Sequence, residues 1–225
     1  MTITYHAEVV QGSDEWAAMR CGLLTASEMK LIITTTLKVA DNDKSRAHEW
    51  ELMAQRITGY VEPQYVSDDM LRGEVDEVEA VDLYEQNYAK KTGIKRVGFI
   101  TNDRFGFTIG YSPDALVGEN GLIECKSRRQ KFQVQTIVEG SVPPEFMIQC
   151  QTALLVSERK WLDFVSYSGG LPMFVVRCLP IPETQEAIVN AATAFEKKIA
   201  LALSKYADAS KGLIPTERKI IQEMY

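Results

Sequence analysis

The sequence predicts an α/β domain: a mixed sheet flanked by helices, with a mainly helical N-terminal region. Three observations predict it. Capped segments of helical period fill the chain as far as Gly93, and short β-rich segments broken by Asn, Gly or Pro follow. Helical patterns then interrupt the strand series and close it. The chain has 225 residues, which suits one domain, read as 1–93 mainly helical, 94–180 sheet core and 181–225 C-terminal helix.

Ser13 to Gly22 reads as a short helix with a serine cap, acids in its first turn and a glycine stop. Thr25-Ala-Ser-Glu28 has the form of a capping box and predicts a second helix. Lys44 to Thr58 is helical by composition and ends at Gly59. Ser67 caps a longer helix from Asp68 to Lys91, whose apolar stripe is Leu71, Val75, Val78, Val81, Tyr84 and Tyr88. Strands are expected at Lys95–Thr101, Phe105–Ile109, Asp114–Val117 and Leu122–Lys126, the last two joined by a Gly118-Glu-Asn-Gly121 turn. Pro143-Pro144 opens a helix to Val156, because proline is tolerated in a first turn. Trp161–Tyr167 and Met173–Leu179 are two further strands, and Glu183–Tyr206 is a last amphipathic helix.

Composition excludes several classes. Hydrophobic residues at 45% and charged residues at 25% are ordinary for a globular chain. No apolar run approaches the roughly 20 residues that cross a bilayer. Residues 1–10 lack a basic start and apolar stretch, so a soluble, cytoplasmic protein without a signal peptide is expected. Lys+Arg of 25 against Asp+Glu of 31 gives a net charge of -6, which argues against coating nucleic acid by bulk charge. A nuclease remains open, since its site needs clustered carboxylates. The four cysteines, Cys21, Cys125, Cys150 and Cys178, are far apart and read as buried free thiols rather than a zinc site.

Phosphate-loop, nucleophile-elbow and zinc-protease motifs are all missing, and two histidines leave little for a hydrolase triad. Acids plus lysine remain. Glu-x-Lys recurs along the chain, and context separates its occurrences. Glu28/Lys30 and Glu196/Lys198 lie in helical patterns, where residues i and i+2 diverge. Glu124/Lys126 lies in a strand, where they share a face, and the preceding turn can return Asp114 beside Glu124. Two carboxylates and an ammonium at a strand edge suit Mg²⁺-assisted phosphodiester hydrolysis, with Lys126 orienting the nucleophile or offsetting charge. An ordinary surface hairpin with one ion pair is the other reading of these residues.

Trp16-x-x-x-Arg20, Gly22, Thr25-Ala-Ser-Glu28, Gly73-x-x-x-Glu77, Ser112-Pro-Asp114, Glu124-Cys-Lys126 and Gln149-x-Gln151 stand in the order found in the phage lambda exonuclease and YqaJ-type viral recombinase family. Over residues 11–170 the chain resembles that family. The resemblance implies a restriction-endonuclease-like fold with a PD-(D/E)xK site. It also implies Mg²⁺-dependent 5′-to-3′ digestion of linear double-stranded DNA to 5′-mononucleotides, leaving 3′ overhangs for a single-strand annealing protein. Two Mg²⁺ ions (with Mn²⁺ able to substitute), a homotrimer ring around DNA and a phage or prophage origin belong to the same implication.

Residue by residue, Asp114, Glu124, Glu77 and the backbone carbonyl of Cys125 resemble the family's metal ligands, Lys126 its catalytic lysine, and Gln149 its glutamine near the scissile phosphate. Arg20, Thr25, Ser27 and Ser112 resemble its 5′-phosphate pocket. On their own terms a helix start with hydroxyls and a guanidinium is also an anion site. Glu77 reads equally as one solvated acid among several, and Thr25 and Glu28 as a plain cap. Arg128, Arg129 and Lys131 are a basic loop that could touch the DNA backbone. Met70 and Leu71 match the strand-separating wedge, or the buried stripe of their helix. Trp16 is expected in the core and Gln151 in a structural role. A site-specific or structure-specific endonuclease on this fold, and a non-catalytic DNA-end-binding recombination adaptor, are the alternatives.

Overall fold

A computed structural model describes residues 2–63 and 67–218. Residues 219–225 of the expected C-terminal part lie outside the described residues. The elements are β1 (Ile3–His6), α1 (Asp14–Arg20), β2 (Leu24–Thr25), a 3-10 turn (Met29–Leu31), α2 (Asp43–Thr58), α3 (Asp68–Asn87) and β3 (Ile94–Lys95). They continue with β4 (Phe99–Asn102), β5 (Ile109–Tyr111), β6 (Ala115–Val117), β7 (Gly121–Ser127), α4 (Gln130–Glu139), α5 (Pro144–Ser157), β8 (Trp161–Tyr167), β9 (Phe174–Cys178) and α6 (Pro182–Ala209).

The α/β class is as the sequence predicts, but the strands divide between two mixed sheets rather than one. The smaller has the order β1-β4-β5-β2 and the larger β3-β6-β7-β8-β9. In the larger sheet β6 and β7 form the expected antiparallel hairpin, β7 runs parallel to β8, and β9 returns antiparallel. α5 lies between the sheets, touching β4 and β5 of one and β8 of the other. Every residue from Ile148 to Ser157 is buried, so this helix is enclosed on all sides instead of presenting one face to solvent. α3 covers the other face of the larger sheet, with Ala80, Val81 and Tyr84 packed on Ile123, Cys125 and Val165.

Local physics explains where the sequence reading fails. No helix starts at Thr25, because the Ala26 amide donates to the Gly110 carbonyl at 2.9 Å and commits the chain to β2. The Thr25 hydroxyl does meet Glu28, at 2.5 Å, but only the 3-10 turn follows. The segment 95–101 splits at Gly98, with β3 pairing to β6 and β4 to β1 and β5. Phe105–Phe107 forms a turn around Gly106, with strand pairing resuming at Ile109. Four of the six residues of the α3 stripe are exposed: Leu71, Val75, Val78 and Tyr88 face outward, and only Val81 and Tyr84 pack on the sheet. β1 and α4 were not anticipated. α4 gives no amphipathic signal because it buries Gln133 and Thr136 while Val134 and Val138 face solvent.

The crossing at Gly98 has no room for a side chain. A Cβ there would lie 2.0 Å from the Val9 carbonyl oxygen, a backbone atom that cannot rotate away. Gly98→Ala is expected to cost roughly 1–3 kcal/mol, in the range of overpacked sites. A denaturant midpoint equal to that of the parent chain would contradict this packing.

Candidate active site

The β6–β7 hairpin builds the site. Its register sets Ala115 against Ile123, which brings Asp114, just before β6, alongside Glu124 and Cys125. One Asp114 carboxylate oxygen accepts the backbone N–H of Cys125. Glu124 is buried, at 2% exposure, on the face of β7 that looks toward α5. Its Oε1 lies 2.6 Å from Lys126 Nζ and also accepts the side-chain amide of Gln149 from α5. Its Oε2 accepts the buried Tyr111 hydroxyl at 2.9 Å. Glu77 reaches in from α3 and lines the same cleft as Asp114. Gly73, one turn before it, faces open space.

The carboxylates are held against their preference. Burial raises the Asp114 pKa well above the ordinary value, and Glu124 and Glu77 raise it further, against the opposing pull of Lys126 and the Cys125 N–H. Burial also raises Glu77, with Glu124 adding to the effect. Burial alone would lower Lys126, but Glu124 and Asp114 outweigh it and hold the ammonium above its ordinary pKa. In this arrangement Lys126 is held as an ammonium and donates to Glu124.

Among the described residues no three His, Cys, Asp or Glu side chains stand ready as a metal cage. The donor set nonetheless fits a hard divalent cation: Asp114, Glu124 and Glu77 offer carboxylate oxygens, and Cys125 can add its backbone carbonyl. Such an ion would relieve the repulsion that raises Asp114 and Glu77. The approach is open. Glu77, Asp114, Arg96, Gln11, Val97 and Gly98 line a cleft of about 380 Å³.

Beside this cleft lies an anion corner. The Trp16 indole donates to Ser112 Oγ at 2.9 Å, and Arg20 donates to the same oxygen at 3.3 Å. The Arg20 guanidinium also lies over the Trp16 ring at 4.4 Å. Its pKa is lowered by burial, against the opposing pull of Glu28. Thr25 Oγ1 and Ser27 Oγ are 3.3 Å apart, and the parallel β2–β5 pairing carries them to the strand that leads into Ser112. The four expected phosphate residues thus share one region, although Thr25 lies in a strand rather than at a helix start.

Several expectations need correction. Trp16 is only partly buried and aligns Ser112 and Arg20, where a core position was expected. Arg128 and Arg129 are not in a free loop, because α4 begins directly after them. Arg128 is held by Glu145 at 3.2 Å and lies against Phe132 and Phe146. Met70 and Leu71 are half-exposed, not part of a buried stripe. Gln151 is structural as expected, bonded to the Leu179 carbonyl and the Ile181 amide. Cys125, Cys150 and Cys178 are buried, and Cys21 is partly so. Tyr111 was missed; its one sequence cue is its place three residues before Asp114 on the incoming strand.

The model of the YqaJ-like viral recombinase domain matches residues 15–160, a span that holds every one of these site residues. The chain belongs to the YqaJ-like viral recombinase family. No curated protein matches it. Among solved structures this recombinase-family chain is similar to an alkaline exonuclease (LHK-Exo) from Laribacter hongkongensis, with a TM-score of 0.79 and 28% identity over 90% of this chain and 100% of that one. The same exonuclease in complex with dAMP matches at a TM-score of 0.79 and 30% identity, over 88% and 99% of the two chains. A phage-related exonuclease from Haemophilus somnus 129PT, at 15% identity and a TM-score of 0.57 over 81% and 96% of the chains, shares the fold. Among the described residues no helix is long and apolar enough to cross a membrane.

The raised carboxyls give a signed prediction. A carboxyl whose folded pKa exceeds its unfolded one is more tightly protonated when folded, so its cost is absent in acid and grows as pH rises past the ordinary carboxylate range. Mg²⁺ should therefore raise the Tm by roughly 5 °C or more at pH 8, given about 100 times its Kd, and far less at pH 5. An equal shift at both pH values would contradict ligation by these groups.

Proposed function

We propose that this YqaJ-like recombinase is a Mg²⁺-dependent deoxyribonuclease that digests one strand of linear double-stranded DNA from its 5′ end. Its products are 5′-mononucleotides and a 3′ overhang for annealing-type phage recombination. The observation that carries this reading is the convergence of Asp114, Glu124 and Lys126, with Asp114 lining an open cleft and standing two residues after Ser112 of the Arg20 corner. Likeness to exonucleases, one of them bound to dAMP, supports it.

Asp114, Glu124, Glu77 and the Cys125 carbonyl would hold Mg²⁺, one or two ions, with Mn²⁺ as a substitute. When bound, the metal supplies Lewis acidity at the scissile phosphate and lowers the pKa of a water. The chain's own residues do the rest. Tyr111 and Gln149 fix the Glu124 carboxylate from two directions, so it cannot turn away from the cleft. Lys126, cationic at working pH, orients the attacking water and offsets charge on the pentavalent phosphate. Arg20 and Ser112, aligned by Trp16, receive the terminal 5′-phosphate, with Thr25 and Ser27 beside them. A pocket for a terminal phosphate beside the carboxylates favours an exonuclease over an endonuclease. Met70 and Leu71 extend apolar side chains from the helix that carries Glu77 and suit the wedge between end base pairs. The homotrimer ring and the annealing protein belong to this proposal and rest on the family resemblance alone.

An end-labelled linear duplex, incubated with and without EDTA, tests the reading. The 5′ label is expected to be released first, only with Mg²⁺, while a closed circle survives. Lys126→Ala should slow release by about 10³-fold or more, on the scale of a lost charge-stabilising donor. Normal release in that variant would remove Lys126 from the chemistry, and cutting of the circle would favour an endonuclease. Arg20→Ala should erase most of the preference for 5′-phosphate over 5′-hydroxyl ends; selectivity equal to the parent's would dismiss the phosphate pocket.

A further inference from the structure

Strand β7 sends Glu124 and Lys126 to the α5 side of the sheet and its next residue, Ser127, to the α3 side. In the parallel register of β7 and β8, Ser127 stands directly beside Tyr167. Both hydroxyls donate to α3. Ser127 Oγ, which accepts Arg72 Nε at 3.4 Å, donates to the Asp76 carboxylate, and the Tyr167 hydroxyl donates to Glu79 at 2.6 Å. Asp76 and Glu79 are three residues apart and so neighbour each other on the helix surface. Glu77 lies between them in sequence. A third hydroxyl, that of Tyr84, donates to Asp163 of β8 at 2.6 Å, two turns beyond Glu77.

These three bonds differ in what surrounds them. At Tyr84 the helix is also held by apolar packing, with Ala80, Val81 and Tyr84 buried in one cluster with Ile123, Cys125 and Val165. Before Ala80 that support is weaker: Leu71, Val75 and Val78 are exposed. The turn that carries Glu77 thus lies where polar contacts take over from apolar ones. Its placement is sensitive, because slipping the helix by one residue moves a side chain about 1.5 Å along the axis. A metal-binding constellation needs its groups within about 0.5 Å of the productive geometry.

We propose that the Ser127 and Tyr167 hydroxyls are positioning groups for the metal centre: by gripping Asp76 and Glu79 they set the register of α3 on the sheet and hold Glu77 in the cleft that Asp114 lines. They act through Glu77 and touch neither metal nor substrate. Outer partners that orient a metal ligand in this way are typically worth 10–100-fold in metal affinity. This role rests on the nuclease reading, in which Glu77 is a ligand, and adds two residues outside the cleft to it. Ser127 follows Lys126 directly, so one strand end fixes the lysine on one face and the helical ligand from the other.

The test is binding of Mn²⁺ alone to the whole chain without DNA, read from the paramagnetic resonance signal of the free ion, so that no turnover is needed. Ser127→Ala/Tyr167→Phe removes both hydroxyls and keeps the aromatic ring; it should weaken Mn²⁺ binding by about tenfold. Ser127→Thr retains a hydroxyl and should bind as the parent does. Tyr84→Phe is the comparison for stability: it should lower the Tm yet keep parental Mn²⁺ affinity, because packing already fixes α3 at that point. In a Glu77→Gln background the double variant should lose no further affinity, since its groups act through Glu77. Circular dichroism confirms folding, and Tyr167→Phe alone, expected to bind severalfold more weakly, replaces a double variant that does not fold. Parental affinity in the folded double variant, or in that single variant where it stands in, would overturn the proposal. So would a full additional loss in the Glu77→Gln background, or an equal loss in Tyr84→Phe, either of which reports general loosening. A parent chain that takes up no Mn²⁺ would reject the metal-dependent nuclease reading and the positioning role with it, a result distinct from the others.

Discussion

The site depends on one constraint: Glu124 is buried between two sheets and its carboxyl oxygens need partners there. A carboxylate removed from water is costly unless it is paired and hydrogen-bonded. Lys126, Gln149 and Tyr111 meet that requirement from β7, α5 and β5. Because each partner comes from a different element, the carboxylate position reports on the docking of α5 against both sheets. That is why a helix buried on all sides carries a glutamine at all.

The same constraint explains the electrostatic character of the centre. Three carboxyls and one ammonium converge where solvent is scarce, so Asp114 and Glu77 are pushed toward their neutral forms. A fold built for stability alone would place apolar side chains there. Repulsion retained at a cleft, next to a lysine held as an ammonium by Glu124 and Asp114, suits a centre that gains order when a cation and a polyanion arrive. Net charge of -6 for the whole chain says little about the local field beside Lys126 or Arg20.

The fold class, the β6–β7 hairpin and the central triad were legible in the sequence because they rest on local rules. Strand alternation puts Glu124 and Lys126 on one face, and the glycine turn returns Asp114. The helices carrying Glu77 and Gln149 were legible for the same reason. What escaped was set by distant pairing. β2 exists because the Gly110 carbonyl claims the Ala26 amide, which no pattern within residues 25–28 announces. α4 buries Gln133 because that side chain spans the Ser166 and Pro172 carbonyls, so its polar face points inward. Trp16 escaped because its role needs Ser112, nearly a hundred positions away.

Trp16 also shows how the parts of the site are coupled. Its indole N–H fixes the Ser112 hydroxyl and its ring supports Arg20, so one side chain orients both groups of the proposed phosphate corner. Ser112 is joined through Pro113 to Asp114, and the Gln11 amide grips the Pro113 carbonyl at 2.8 Å. Proline restricts the backbone on both sides of that linkage. The spacing between Ser112 and Asp114 is thereby set by a stiff tripeptide held at each end. Under the proposed exonuclease function, a stiff spacer of this kind, rather than any base contact, would tie the position of a bound 5′-phosphate to the position of the bond to be cut.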